Sequence, residues 1–551
     1  MEIDSFLQDP PRPSNRFRTD VALRRSLERL LPPDVFAEAS PELDEMGERA
    51  ASGDLRALGA QAEANEPRHV PYDAWGRRID RLDVDPAWTR LVEIALETGL
   101  VALPYEDHYG VHSRMVQGGL SNLFDPVTAT ALCPIGMTDA AARVLLTHDE
   151  ELAKKYVPKL TARRGGWTSG QWMTEKEGGS DIGRTGTVAR PVGDGTYTLH
   201  GTKWFTSATT ADMTLALARP HGAEPGSRGL SLFLLELRNA DGTWNGITVR
   251  RLKNKFGTRG LPTAELDLDG AIAVPVGGIG RGVAKIAIML NITRLGAAGG
   301  ALAGVGELLS LQRDYASRRE VFGKLLRDQP MHRMWIARVA AEYEAMLALA
   351  FHAGTLVGQI EHGTGDAALT RLVTPLTKLA CAREAVWAGS ELVESFGGAG
   401  YLEDTGIPRI FRNLHVNCIW EGTTSVMAHD VLRALRGEGV AAAFLADAES
   451  HLRAYDHPLL ADTTRRVQAA VDHLRPMLAE PEESSGRRLA WGMARTYQAA
   501  LLCEAAGWEL DKHGDARAAT AANLFASDPL ISESASTGAG SLADLAFPRR
   551  D

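Results

Sequence analysis

Cysteine is scarce in this chain of 551 residues. The four, Cys133, Cys381, Cys418 and Cys503, are scattered and form no CxxC pair. Such usage excludes a disulfide framework and fits a reducing, cytoplasmic setting. Long uncharged apolar runs are also wanting. The most apolar stretch, residues 284–306, carries Arg294 among many glycines and alanines, which predicts a buried helix rather than a membrane span. The opening "MEIDSFLQDPPRPSNRF" lacks the basic-then-apolar order of a signal peptide. Positive charge is not in excess: the formal net charge is −10. Bulk charge therefore argues against a nucleic-acid partner and leaves only a local basic patch. Several familiar motifs are missing as well. There is no GxxxxGK[ST] phosphate loop and no GxSxG elbow. "GGIGRG" (277–282) has neither the GxGxxG spacing nor a βαβ setting and reads as a plain loop. His108 and His112 stand four apart with no HExxH glutamate, so no metal site is expected.

What is present changes texture along the chain. Residues 1–80 mix short helical stretches with proline-rich segments, "QDPPRPSNR" and "EPRHVPYDAWG", which read as irregular connections. Helical spacing then holds to about 165. From about 168 to 275 come short segments rich in Thr, Val, Leu and aromatics, such as "GTYTLHGTKWFTSA" and "GLSLFLLEL", bounded by Gly, Pro or Asp. These are strands at hairpin spacing. Helical texture returns until about 436 and continues, broken by prolines and a Glu/Ser cluster, into the C-terminal part. The small, polar stretch 527–551 reads as partly disordered. The expected fold class is α+β. A helical domain over 1–167 precedes a β-barrel or sandwich over 168–276, a helical bundle over 277–436 and an extra helical domain over 437–551.

Five stretches carry chemistry. "WMTEKEGGSD" (172–181) offers the hydroxyls of Thr174 and Ser180, and its glycines admit close backbone approach to a ligand. "GTKWFTSA" (201–208) sets Trp204 and Thr206 on one side of a strand. "SRREVFGKLLRDQP" (317–330) presents Arg319, whose guanidinium suits a diphosphate. "SFGGAGY" (395–401) ends a helical stretch with Gly397 and Gly398. "CIWEGTTS" (418–425) holds Glu421 between an apolar run and the start of a helix. Taken singly, these read as a polar turn, a hairpin, a basic patch, a helix C-cap and a capping acid.

Taken together and in this order, they resemble the acyl-CoA dehydrogenases. With "YDAWGRRIDRLDVDPAW" (72–88) and "LCPIGMT" (132–138), the chain looks most like their AidB-type, alkylation-response branch. The resemblance covers nearly everything up to about 436 and weakens beyond. It implies a helical domain, a β domain and a four-helix domain with an added C-terminal domain, bound FAD and a homotetramer. Residues 173–181, among them Met173, Thr174, Gly179 and Ser180, would line the isoalloxazine, with Thr174 at its pyrimidine edge. Trp204 would pack on the ring, Thr206 would approach N5 and Trp420 would join the flavin site. Arg319, Phe322 and Gln329 would hold the adenine-diphosphate part across a subunit interface, as would Gly397 and Gly398. Thr423 would contact the adenosine end.

The resemblance also implies a role for Glu421: the base that removes a proton α to a thioester while the β-hydrogen leaves as hydride to the flavin. Gly422 would make room for the acyl chain, and Ser180 and Arg294 would meet substrate. Arg294 reads equally well as a buried salt-bridge partner. Some members carry the base on the helix matching "LNITRLG" (290–296), but the matching residue here is Thr293. The expected partners are an acyl-CoA or related acyl substrate and an electron acceptor, electron-transfer flavoprotein or oxygen. An oxidase, or an enzyme for carrier-bound or non-thioester substrates, is an alternative. So is a flavoprotein that binds or protects DNA, although residues 441–551 hold 11 Lys and Arg against 16 Asp and Glu.

Overall fold

The computed structural model describes residues 9–532 and Ala546. The disorder expected for 527–551 therefore falls largely outside the described residues. The N-terminal helices begin where side chains cap them. Asn15, Asp20, Asp85 and Asp149 each accept a hydrogen bond from a backbone N–H of the following turn. "EPRHVPYDAWG" is not irregular. It opens an antiparallel hairpin of Arg68–Tyr72 with Arg78–Asp83. Asp73 accepts from the N–H groups of Trp75 and Arg77 and closes the turn. Pro71 is tolerated because a two-stranded ribbon leaves backbone N–H positions outside the ladder. Buried Asp80 then ties the hairpin to the β domain by accepting from the Val249 N–H at 3.1 Å.

Seven strands between Ser169 and Pro275 form the central sheet. Met213–Pro220 pairs with Ser169–Trp172, Val188–Gly193 and Ser231–Glu236. Val188–Gly193 leads through Thr196–Ser207 and Thr263–Pro275 back to Ser231–Glu236, so the pairing closes on itself as a small barrel. "MTLALARP" is apolar at nearly every position because both its faces are covered. Met213, Leu215 and Leu217 meet the N-terminal helices, while Ala216 and Ala218 fill the barrel interior.

The glycine loop 277–281 is closed by this chain itself. Lys285 Nζ donates to the carbonyls of Val276, Gly277 and Gly278. From Gly282 a 35-residue helix runs to Ala316. It is long and apolar enough to cross a membrane, yet 56% of its most apolar window is buried inside the protein. It packs with Pro330–Glu361 and Ala367–Ser395 into the helical bundle. The C-terminal helices Val440–Arg453, Ala461–Ala479, Gly486–His513 and Arg517–Phe525 share one core with that bundle. Leu349 and Leu376 lie in the same cluster as Phe444 and Tyr497. At this junction His352, Asp447 and His451 bring potential metal-ligand atoms within 4.8 Å of one another. Hydrogen bonds already engage those atoms: Tyr497 Oη with His352 at 2.8 Å, His451 with Asp447 at 3.0 Å and with Glu504 at 2.5 Å.

Candidate active site

Glu421 lies in the loop between the helices Ile407–Val416 and Thr424–Leu435. Its backbone is left-handed, at φ +56°, and Gly422 follows at φ +107°. A glutamate seldom adopts this region, and such residues persist only where neighbours over-determine them. Here the neighbours are specific. Arg294 Nε donates to the Glu421 carbonyl at 3.4 Å, and Lys378 Nζ donates to that of Gly422. Arg294 also pairs with Asp430 at 2.7 Å. Arg371 reaches the other oxygen of that carboxylate at 2.5 Å. The Glu421 side chain points into a cavity of about 1120 Å³. There Oε2 lies 2.7 Å from Thr293 Oγ1 and 3.4 Å from Gln171 Nε2.

The facing wall comes from "WMTEKEGGSD". Met173, Thr174, Gly179 and Ser180 line the cavity together with Arg294, Trp420, Gly422 and Thr423. This turn is pinned from beneath by Glu175, which is 3% exposed. Lys203 Nζ donates to it at 2.6 Å, Thr187 Oγ1 at 2.6 Å and the Gly186 N–H at 2.6 Å. Burial pushes the Glu175 carboxyl up, but Lys203 and these hydrogen bonds bring it below its ordinary value. The Trp204 N–H donates to the Thr174 carbonyl at 2.9 Å. The two sequence motifs are thus one unit, tied by a buried ion pair and a backbone bond.

Two expected cofactor residues stand outside the cavity lining. The pairing of Thr196–Ser207 slips between Lys203, opposite Leu266, and Thr206, opposite Ala264. This bulge turns Phe205 and Ser207 toward the cavity. Thr206 is fully buried and donates to the Ala264 carbonyl at 2.8 Å. Trp204 carries the Lys253 ammonium over its ring at 3.5 Å. The diphosphate group of residues is elsewhere. Arg319, Gly397 and Gly398 line a second, outward-facing cavity of about 1270 Å³. The Arg319 guanidinium has no hydrogen bond or ion pair among the described residues. Phe322 is 98% exposed, and Gln329 Nε2 donates to the Val321 carbonyl at 2.7 Å.

Sequence reading missed Gln171, Lys378 and Lys255 as members of the site. Gln171 and Lys378 had a signal, a polar residue inside a buried element, in "SGQW" and "PLTKLACA"; Lys255, in the basic loop "RRLKNKFGTR", had none. Burial lowers the ammonium groups of Lys378 and Lys255 to about 8. Lys255 donates to the Leu261 carbonyl and Thr263 Oγ1 and lines the cavity.

Known proteins match along the chain. Residues 8–164 match the adaptive response protein AidB N-terminal domain, and 170–271 the acyl-CoA dehydrogenase middle domain. Residues 280–436 match the acyl-CoA dehydrogenase C-terminal domain, and 439–543 an acyl-CoA dehydrogenase 11 C-terminal domain-like region. The chain is 41% identical over 527 residues to acyl-CoA dehydrogenase family member 11 of Caenorhabditis elegans, covering 91% of this chain and 85% of the relative. It is 31% identical over 487 residues to the putative acyl-CoA dehydrogenase AidB of Escherichia coli, covering 86% of each. The crystal structure of C. elegans ACDH-11 in complex with C11-CoA superimposes with a TM-score of 0.95 at 38% identity, over 100% of this chain and 98% of that one.

Proposed function

The chain belongs to the acyl-CoA dehydrogenase superfamily, in its AidB-like branch, and on that premise we propose that it oxidises an acyl-CoA, with Glu421 as the base. The observation that carries the proposal is a carboxylate fixed on a left-handed backbone and aimed into a large, mostly apolar cavity. The relative crystallised with C11-CoA supports an acyl thioester of medium length as the substrate class.

The family's cofactor is FAD, and the residues present fit it. Gln171 Oε1 is buried without a partner in a cavity also lined by Thr174, Ser180 and Ser207. These groups suit the polar edge of an isoalloxazine. The unpaired Arg319 beside Gly397 and Gly398 suits a diphosphate. Bound FAD supplies a hydride acceptor for the substrate β-carbon. Met173, Thr174, Gly179, Ser180 and Trp420 would hold the ring. Glu421 Oε2 takes the α-proton, and the Glu421 backbone N–H polarises the thioester oxygen. Thr293 and Gln171 keep the carboxylate turned toward the substrate. Gly422, at φ +107° and with Met427 Cε 2.6 Å from where a Cβ would sit, lets the loop turn tightly beside the base. Arg319, Gly397 and Gly398 face outward, which favours an assembly in which they hold the adenine-diphosphate of FAD bound in a second copy, as in a homotetramer. Electron-transfer flavoprotein or oxygen then takes the electrons.

The test is an anaerobic panel of acyl-CoAs added to the purified yellow protein while flavin absorbance is followed. Bleaching by one chain class is expected, and readmitted air separates the acceptors by the speed of recolouring. A fully flavinated protein that no acyl-CoA bleaches would overturn the thioester reading.

A further inference from the structure

The cavity does not end at Glu421. It continues along the Gly282–Ala316 helix, whose residues give it a scale. Thr293 contacts the Glu421 carboxylate. Gly300 is seven residues later, so it sits on nearly the same face and about 10 Å further along the axis. Between them Gly296 and Ala297 line the cavity, and a Cβ placed on Gly296 would meet nothing within 4 Å. The helix therefore leaves an open channel on this face. Leu132, Leu261, Leu302 and Leu414 help to wall the cavity.

At Gly300 the surroundings change. A Cβ there would lie 3.0 Å from Asp125 Oδ2. Asp125 lines the cavity, and its carboxyl has no hydrogen bond or ion pair among the described residues. Burial raises that carboxyl to about 7. One turn earlier, Asn122 is 2% exposed and lines the same cavity. Its Oδ1 accepts from Arg16 Nη2 at 2.8 Å, while its Nδ2 has no partner. The far wall of the channel thus carries an unpaired carboxyl, with the buried, unpaired amide nitrogen of Asn122 one turn away. A saturated chain reaching this depth would leave both unmet, which is unfavourable for buried polar groups. A hydroxyl both donates and accepts, so a single such group can satisfy the pair.

We propose that Asp125 and Asn122 form a polar subsite at the far end of the acyl channel, which selects medium-length acyl thioesters carrying a hydroxyl near the chain end. This rests on the acyl-CoA dehydrogenase reading above and names its substrate class. The hydroxyl donates to Asp125 and accepts from Asn122 Nδ2, while the thioester end lies at Glu421.

The experiment compares decanoyl-, undecanoyl- and dodecanoyl-CoA with their ω-hydroxy counterparts on the FAD-loaded protein. Two quantities are read: the anaerobic flavin-reduction rate over substrate affinity, and binding affinity by calorimetry. The wild type is expected to prefer the best-fitting hydroxylated chain by at least about tenfold in both. Asp125→Leu is expected to reverse that preference, and Asp125→Asn to reduce it. Flavin content and thermal midpoint check that each variant is folded. Equal use of plain and hydroxylated chains by wild type and Asp125→Leu would overturn the subsite while leaving the dehydrogenase reading intact. Absence of bleaching by every chain would sink that reading instead, and calorimetry would still report whether the subsite prefers the hydroxyl.

Discussion

The two cavities that hold most of the expected cofactor residues are finished to different degrees. In the inner one, the groups named for chemistry are tethered within one chain. Glu421 meets Thr293 and Gln171, Arg294 meets Asp430, and Glu175 meets Lys203. In the outer one, Arg319 has no side-chain partner among the described residues. Its surroundings are open and apolar: Phe322 is 98% exposed, Met331 88% and Tyr401 88%. Large apolar side chains left this exposed suit an interaction face. The inner groups are held by partners within the chain, whereas the outer Arg319 is not, as expected if the proposed second copy supplies its partner. On the proposed assembly, cofactor binding at the outer cavity should depend on protein concentration.

The largest expected effect tests the inner site. Glu421→Gln keeps the shape and removes the base, so flavin reduction by substrate should fall by about a thousandfold. FAD content should not change. A wild-type reduction rate would remove Glu421 from the mechanism. Thr293→Val is the milder form of this test. It should cost about tenfold in reduction rate by freeing the carboxylate, with little change in substrate affinity. An affinity loss of the same size would make Thr293 a substrate contact rather than a positioning residue.

The next effect belongs to the outer half. Arg319→Ala should weaken FAD binding by about tenfold, since a diphosphate would lose a charged partner. The loss should deepen on dilution, as gel filtration with flavin absorbance would show. A loss independent of concentration would place the whole cofactor site within one copy.

The smallest effect uses the C-terminal junction as a control, because it resembles the inner site in being self-contained. Burial would lower His451, but hydrogen bonds to Asp447 and Glu504 outweigh it and raise the imidazole to about 9. Its stabilising contribution is therefore complete below the ordinary histidine value of about 6.5 and is lost as pH rises through about 9. Asp447 and Glu504 are held below their ordinary values despite burial. Their contributions are present above those ordinary values and fade as pH falls through the lowered ones. His451→Gln should cost about 1 to 2 kcal/mol at neutral pH. The gap from wild type should close above pH 9 in thermal unfolding. A constant gap would mean that packing, not charge, holds the junction.

The order of helical, β and helical regions was legible because hydrophobic periodicity changes with each element. The 68–83 hairpin was not. Its prolines read as breaks, while its stability comes from the Asp73 turn and a bond to distant Val249. Glu421 stood out as a carboxylate between Trp420 and Gly422, but alone it reads as a capping acid, and only the family resemblance made it a candidate base. The facing of Trp204 and Thr206 was not legible, since it depends on a bulge set by the neighbouring strand. For Arg294 the sequence supports substrate contact and salt-bridge partner equally. The residue lines the cavity and pairs with Asp430 at once. Asp125 gave no signal at all. "FDPV" looks like an ordinary turn until Gly300 brings the helix against it.

The left-handed backbone of Glu421 also bears on how this protein can change. A residue with a Cβ is held there at a cost of about 1 kcal/mol. Glycine would adopt the same conformation freely. Selection for heat resistance alone would therefore favour losing the glutamate, and on the reading of Glu421 as the base, selection for turnover retains it. At this position robustness and activity pull in opposite directions, so a stabilised descendant that keeps Glu421 must find its gains elsewhere in the chain.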